Sequence, residues 1–200
     1  MLCHEKAVKR IARYLLSSRD KGIHYKPDPS RGLEVYVDAD FAGGWSSGDV
    51  HNPECVLSRT GYVLMYAGCP ITWSSKLQTE IALTTTEAEY IALSQAMREA
   101  LPFMNLMQEI GTVFEFHNPK PKFHCKVFED NISCIKVAES PKFTPRTKHI
   151  AIKYHHFRKH VADGTVSIHH IDTKEQIADI FTKPLDEALY NRLRLMFMGW

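Results

Sequence analysis

Between Leu33 and Ser75 the chain carries three consecutive β-rich runs, Leu33–Ala39, Tyr62–Tyr66 and Ile71–Ser75. This succession constrains the fold more than any bulk property, because adjacent period-2 runs joined by turn residues (here Ala67, Gly68 and Pro70) pair as an antiparallel meander. The period then changes. From Thr86 to about Glu109 the pattern is helical, with Ala88, Ile91, Ala92, Gln95 and Ala96 in helix-favouring composition and Pro102 expected to kink or break it. Phe123–Glu129 reads as a fourth strand and Ile132–Ala138 as a short helix. The run TKHIAIKYHHFRKHVADG is expected to be helical, with Ile152, Phe157 and Val161 inward and Gly164 as its stop. Thr165–Ile171 is a fifth strand, and Lys174–Phe181 and Asp186–Met198 are expected to close the chain as helices around Pro184. The order implies an α/β fold: a mixed five-stranded sheet, its three antiparallel strands first, flanked by α-helices.

Ahead of the meander, His4–Ser17 has the spacing of an amphipathic helix (Val8, Ile11, Ala12, Leu15), and RDKGIHYKPDPSRG reads as a linker. Two segments are therefore expected, 1–32 and a main domain 33–200. A 200-residue chain with 44% hydrophobic residues suffices for one sizeable core. The longest apolar stretches, such as GYVLMYAG, fall far short of the roughly 20 residues that span a bilayer, so no membrane partner is expected. Five scattered cysteines with no C-x-x-C pair suggest reduced thiols and an intracellular chain. Charge is unevenly spread: Lys136–Lys159 holds seven Lys/Arg against Glu139 alone, and the first 31 residues hold eight against three acids. Basic flanks around an acidic centre suit a polyanionic substrate, although solvated helix faces would look the same.

Four carboxylates fall at places where chemistry concentrates. Asp38 ends the first strand in VYVDADFAG, with Asp40 on the same face as a rival. Glu89 stands at the start of the long helix in TTTEAEYIAL; Thr86-x-x-Glu89 also has capping-box spacing, and Glu87 could be the first-turn acid favoured by the helix dipole. Asp130 follows the strand KVFED, where α/β sites open, and would equally serve as a helix N-cap. Asp179, in EQIADIFTKPL, borders an apolar face. In the inferred sheet order these places can converge on one rim. Two carboxylates about 4 Å apart repel by roughly 4 kcal/mol at an effective dielectric near 20, so such a cluster calls for cations, and all-oxygen ligation favours magnesium or manganese.

The segments YVDADFAG, TTTEAEYIAL, EDN and KEQIADIFTKPL, together with TPRTKHIAIKYHHFR, resemble the successive motifs of the ribonuclease H domain in copia-type retrotransposon Pol polyproteins. The resemblance covers residues 33–186, and HEKAVKRIARYLLSSRDKG resembles the tail of the preceding reverse transcriptase. It implies a ribonuclease H-like fold and a metal-dependent endonuclease that cuts the RNA strand of RNA–DNA hybrids. It also implies a cytoplasmic retrotransposon particle or the nucleus as its location. The family's metal ligands fall on Asp38, Glu89, Asp130 and Asp179. The resemblance implies two Mg²⁺ ions (or Mn²⁺), with Asp38 bridging both, Asp179 completing one site and Glu89 and Asp130 the other.

A histidine that assists product release in relatives is matched by His170 or the adjacent His169, both of which also fit the fifth strand. His156 and His160 lie four apart on the expected helix, but without a third ligand motif they are read as surface or partly packed residues rather than zinc ligands. For hybrid binding, Ser74, Ser75, Lys76 and Asn131 are candidates beside the site, and Lys142, Arg146, Lys148 and Arg158 for tracking phosphates; any of them would also serve as a solubilising residue. The competing readings are a catalytically inert structural or hybrid-binding module of a reverse transcriptase and a strand-transfer enzyme of the same fold. A full set of four acids counts against both.

Overall fold

The computed structural model describes residues 2–45, 53–114, 124–140 and 155–200. Five strands form one mixed sheet in the order β3-β2-β1-β4-β5, with β1 Leu33–Asp40, β2 Arg59–Tyr66, β3 Cys69–Leu77, β4 Cys125–Glu129 and β5 Val166–His170. β1 pairs antiparallel with β2 and parallel with β4, which pairs parallel with β5. The two-residue β2–β3 loop places both Ala67 (φ 52°) and Gly68 (φ 75°) in the left-handed region, the geometry that matches the twist of a tight hairpin. Pro70 lies inside β3 rather than in the turn, which an edge strand permits because one side of its backbone has no ladder partner.

Residues Leu33 to Ala39 are buried on both faces, since β1 is the central strand. Leu33, Val35, Val37 and Ala39 lie under the helix α2 (Thr85–Val113), and Cys125, Val127, Val166 and Ile168 belong to the same core. Tyr36 faces the other way, with Val63, Met65, Ile177, Ala178 and Phe197, under the closing segment and α5 (Glu187–Met198).

Helix α2 runs unbroken through Pro102 for 29 residues, so of the expected kink or break the break does not occur. Arg98, whose carbonyl loses its donor, lies with Pro102 on the exposed side where water can replace the bond, while Ala100 and Met104 keep the helix seated. The short α3 (Ile132–Glu139) stands where expected. Of the run expected to be helical over 147–164, the described residues are helical only in α4 (Arg158–Ala162), preceded by His155 and the fully buried Phe157; residues 147–154 lie outside the described residues. Gly164 (φ 76°) follows as the stop.

The segment Lys174–Phe181 is not an α-helix but two 3₁₀ turns, Thr173–Glu175 and Ile177–Phe181. Between them Gln176 is extended (φ −74°, ψ 96°), because its buried amide is tied to the sheet: Nε2 donates to Val37 O (2.9 Å) and Phe128 O (3.3 Å). The N-terminal helix α1 (Leu2–Ser17) projects Val8, Ile11, Leu15 and Leu16 outward. The linker after it docks on α5, where His24 N donates to Met198 O and Trp200 Nε1 to Gly22 O. Among the described residues no helix is long and apolar enough to cross a membrane.

Candidate metal centre

The parallel strands β1 and β4 end at the same rim of the sheet, and the N-terminus of α2 and the closing segment meet there. At that rim the structure gathers all four acids read from the sequence. Ligand oxygens of Asp38, Asp130 and Asp179 lie within 4.8 Å of one another, and so do those of Glu89, Glu129 and Asp130. Asp130, and not Asp38 as expected, is common to both groups, because Asp38 turns to the closing-segment face of β1; Glu129 is an acid that the sequence reading passed over. It was legible: in β4 the alternation puts Glu129 on the face of Cys125 and Val127, an acid in a core position.

Each acid is placed by a different device. Asp38 is 1% exposed on the closing-segment face of β1, where the Thr182 hydroxyl donates to its Oδ2 and Lys183 Nζ stands 3.5 Å from its Oδ1. Its cross-strand partner is Gly61. A Cβ on Gly61 would come within 2.6 Å of Thr182 Cγ2 and 3.0 Å of Ala178 O, so this glycine lets the closing segment lie against the sheet and bring Asp179 to Asp38. Asp40, the rival at this position, is only half-buried and belongs to neither carboxylate group. It instead lines a cavity of about 350 Å³ with Gly43, Gly44, Cys55, Leu57, Arg59 and Leu77.

The capping alternative for Glu89 is overturned. The N-cap of α2 is Thr84, whose Oγ1 accepts from Glu87 N (3.1 Å), and Glu87 Oε2 accepts from Leu83 N (2.8 Å). The cap thus lies two residues earlier and occupies Glu87, which leaves Glu89 in the second turn pointing at the rim. Gln78 steadies this end of α2: its buried Nε2 donates to Thr60 Oγ1 (3.1 Å) and Ala88 O (2.9 Å).

Asp130 follows β4 but does not cap α3. Asn131 does, its Oδ1 accepting from Cys134 N (3.0 Å). Asp130 is left half-buried, with Oδ2 accepting from Thr173 Oγ1 (2.9 Å). Asp179, expected on a helix at the border of an apolar face, is fully buried in a 3₁₀ turn, with Lys183 Nζ 2.9 Å from its Oδ1.

Burial raises the pKa of Asp38, against the pull of Lys183 and Thr182. Burial, with the charges of Glu129 and Asp38 adding to it, pushes Glu89 well above the carboxylate range. Glu129 is raised in the same way, chiefly by burial and against the Asn131 N–H. Asp179 rises to about 7, because burial and repulsion from Asp38 outweigh Lys183. Burial disfavours the Lys183 ammonium, but Asp38 and Asp179 more than compensate and hold its pKa at about 12. The donor set is all-oxygen, Oε2 of Glu89 is buried without a hydrogen-bond partner, and an ammonium already sits between two of the acids. These features fit a hard divalent cation.

The other site candidates scatter. Ser74 pairs across the strands with Tyr62. Ser75 Oγ donates to Phe181 O (2.5 Å), which pins the closing segment to the edge strand. Lys76 is exposed beside it. Asn131 spends its oxygen on the α3 cap. Arg158 is half-buried, and its charge favours ionisation of the Tyr90 hydroxyl. Lys142, Arg146 and Lys148 lie outside the described residues. His170 ends β5 in register with Glu129, exposed at the rim; His169 turns to the opposite face, where Ser167 and Phe128 contact it.

Over 187 residues, 94% of its length, the chain is 34% identical to the retrovirus-related Pol polyprotein from transposon RE2 of Arabidopsis thaliana. The chain is homologous to the Pol polyproteins of copia-type transposons. It is also 36% identical over 181 residues (90% of the chain) to the Pol polyprotein from transposon TNT 1-94 of Nicotiana tabacum. The chain spans 12% of the length of each of these Pol polyproteins. No protein-family model matches it. Among solved structures, LC11-RNase H1, isolated from compost by a metagenomic approach, superposes with a TM-score of 0.51 at 16% identity, covering 76% of this chain and 92% of that one. The fold of this Pol homologue is therefore ribonuclease H-like.

Proposed function

We propose that this Pol homologue is a metal-dependent endoribonuclease that hydrolyses the RNA strand of RNA–DNA hybrids during retrotransposon reverse transcription. The hybrid would be its substrate and the reverse transcriptase region of the same polyprotein its neighbour. The observation that carries this reading is the convergence of Asp38, Glu89, Asp130 and Asp179, from four separate elements, on one rim of a ribonuclease H-like sheet.

Asp38, Asp130 and Asp179 are the residues that would hold one divalent cation, and Glu89 with Asp130 a second. Bound there, Mg²⁺ or Mn²⁺ would activate water and stabilise the departing 3′ oxygen in an in-line displacement at phosphorus. The chain's own part is positioning. Thr182 and Lys183 fix the Asp38 and Asp179 oxygens, Thr173 fixes Asp130, and Gln176 locks the closing segment to β1 and β4. Burial of Asp38, Glu89 and Asp179 excludes water that would otherwise screen their charges. The exposed edge serine and lysine, Ser75 and Lys76, and the Asn131 amide border the rim on either side as candidate contacts to the hybrid, whose 2′-hydroxyls mark the RNA strand.

The test is a cleavage assay of the purified chain on a labelled hybrid. Cutting of the RNA strand is expected only with Mg²⁺ or Mn²⁺, and Asp130→Asn should abolish it with an unchanged circular-dichroism spectrum. Full activity in that variant would overturn the site assignment.

A further inference from the structure

We propose that Glu129 is a fifth carboxylate of the metal centre, holding a divalent cation jointly with Glu89 and Asp130 on the α2 side of the rim. The proposal rests on the metal-dependent reading above and adds a ligand to it.

Glu129 is the last residue of β4, in phase with Cys125 and Val127, so its side chain enters the layer between the sheet and α2. It is 0% exposed. Oε1 accepts from Asn131 N (3.1 Å), so the group is held at the end of its own strand. Oε2 is buried with no hydrogen-bond partner, and so is Oε2 of Glu89, which approaches from α2.

A buried polar oxygen left unsatisfied is costly, and two on facing carboxylates are doubly so. The arrangement is explained if both oxygens are directed at a shared positive partner. Among the described residues, Lys183 is the ammonium that reaches the centre, and it pairs with Asp38 and Asp179 on the opposite face of the sheet. One oxygen from each of Glu89, Glu129 and Asp130 already lies within 4.8 Å of the others, a spacing at which one small cation can touch all three. Three hard oxygens from three carboxylates suit Mg²⁺ or Mn²⁺.

The experiment uses the full chain and reads metal binding apart from cleavage. Mn²⁺ is titrated into wild type, Glu129→Gln and Glu129→Asp by calorimetry and electron paramagnetic resonance, with hybrid cleavage followed in parallel. Glu129→Gln, which keeps the shape and removes the charge, should weaken Mn²⁺ binding by about tenfold or more, and Glu129→Asp should recover part of that loss. Mn²⁺ affinity in Glu129→Gln equal to wild type would overturn the proposal and leave Glu129 a buried acid sharing a proton with Glu89. Should the variants not fold, a wild-type crystal with Mn²⁺ decides the matter through its anomalous signal: Glu129 in the coordination sphere supports the proposal, and Mn²⁺ held without it overturns it. The nuclease reading fails separately, if wild type binds Mn²⁺ through Glu129 yet cuts no hybrid. A wild type that takes up no Mn²⁺ even with hybrid present overturns both.

Discussion

The two faces of the sheet reach the same rim by different means. On one face a 29-residue helix, α2, carries Glu89 into place on a core of Ala88, Ile91, Ala92, Leu93 and Ala96, packed on β1 and β2. On the other face, among the described residues, no long helix covers the rim; two 3₁₀ turns hold Asp179 against Asp38 through Gln176, Thr182 and Lys183. The first arrangement relies on apolar area, which is forgiving of small changes. The second relies on a few directed polar bonds, each of which leaves a buried partner exposed to cost when it is removed.

Neutralising one acid from each face tests whether the two act as one centre. Asp38→Asn and Glu89→Gln are each expected to lower hybrid cleavage by more than ~100-fold, since removing a ligand should exceed the effect of removing its supports. Cleavage surviving in either variant would split the centre into one working face and one idle one. Next in size is Gln176→Ala. It strips donors from two backbone carbonyls, Val37 O and Phe128 O, and should destabilise the chain by about 3 kcal/mol in urea unfolding. A cost near zero would show that the closing segment is held by its apolar residues instead.

The pH dependence of the metal-free protein sharpens the comparison further. Asp179 (raised to about 7), Asp38, Glu89 and Glu129 all have folded-state pKa values above their ordinary ones, so the folded chain binds more protons than the unfolded chain over that window. Their contribution to stability is therefore greatest near pH 4 and is lost as pH rises toward and through 7. In chelator, Tm should fall over this range, Asp179→Asn should flatten part of the fall, and Mg²⁺ should restore Tm at the upper end. A Tm that climbs with pH in chelator would contradict the burial of these acids. The smallest effect belongs to the helix side: Thr84→Ala removes the α2 cap and should cost about 1 kcal/mol with cleavage nearly unchanged, because Glu87 and not Glu89 shares that cap.

Much of this was legible in the chain. The meander, the long helix and the strand–helix–strand order after it follow from hydrophobic period alone, and the acids ending β1 and β4 stand at strand ends that any parallel pairing turns into a rim. The capping of α2 was misplaced because TTTE offers three threonines as caps, and Thr84 is the one whose hydroxyl accepts from Glu87 N. The closing segment was expected to be helical because Ile177 and Ile180 beside Asp179 fit a helical face. Its true shape depends on Gln176 finding two strand carbonyls more than forty residues away, a contact with no local signature.

The sequence by itself determined which residues alternate, which recur at helical spacing and where acids interrupt those patterns, since side-chain chemistry and chain period are local properties. Only the tertiary structure decided which acids meet. It divided five carboxylates between two faces with Asp130 common to both, buried Asp179 and Glu129, and opened the space at Gly61 that lets the last segment reach the first strand. Those outcomes depend on distances between segments far apart in the chain, and desolvation and charge repulsion act through those distances.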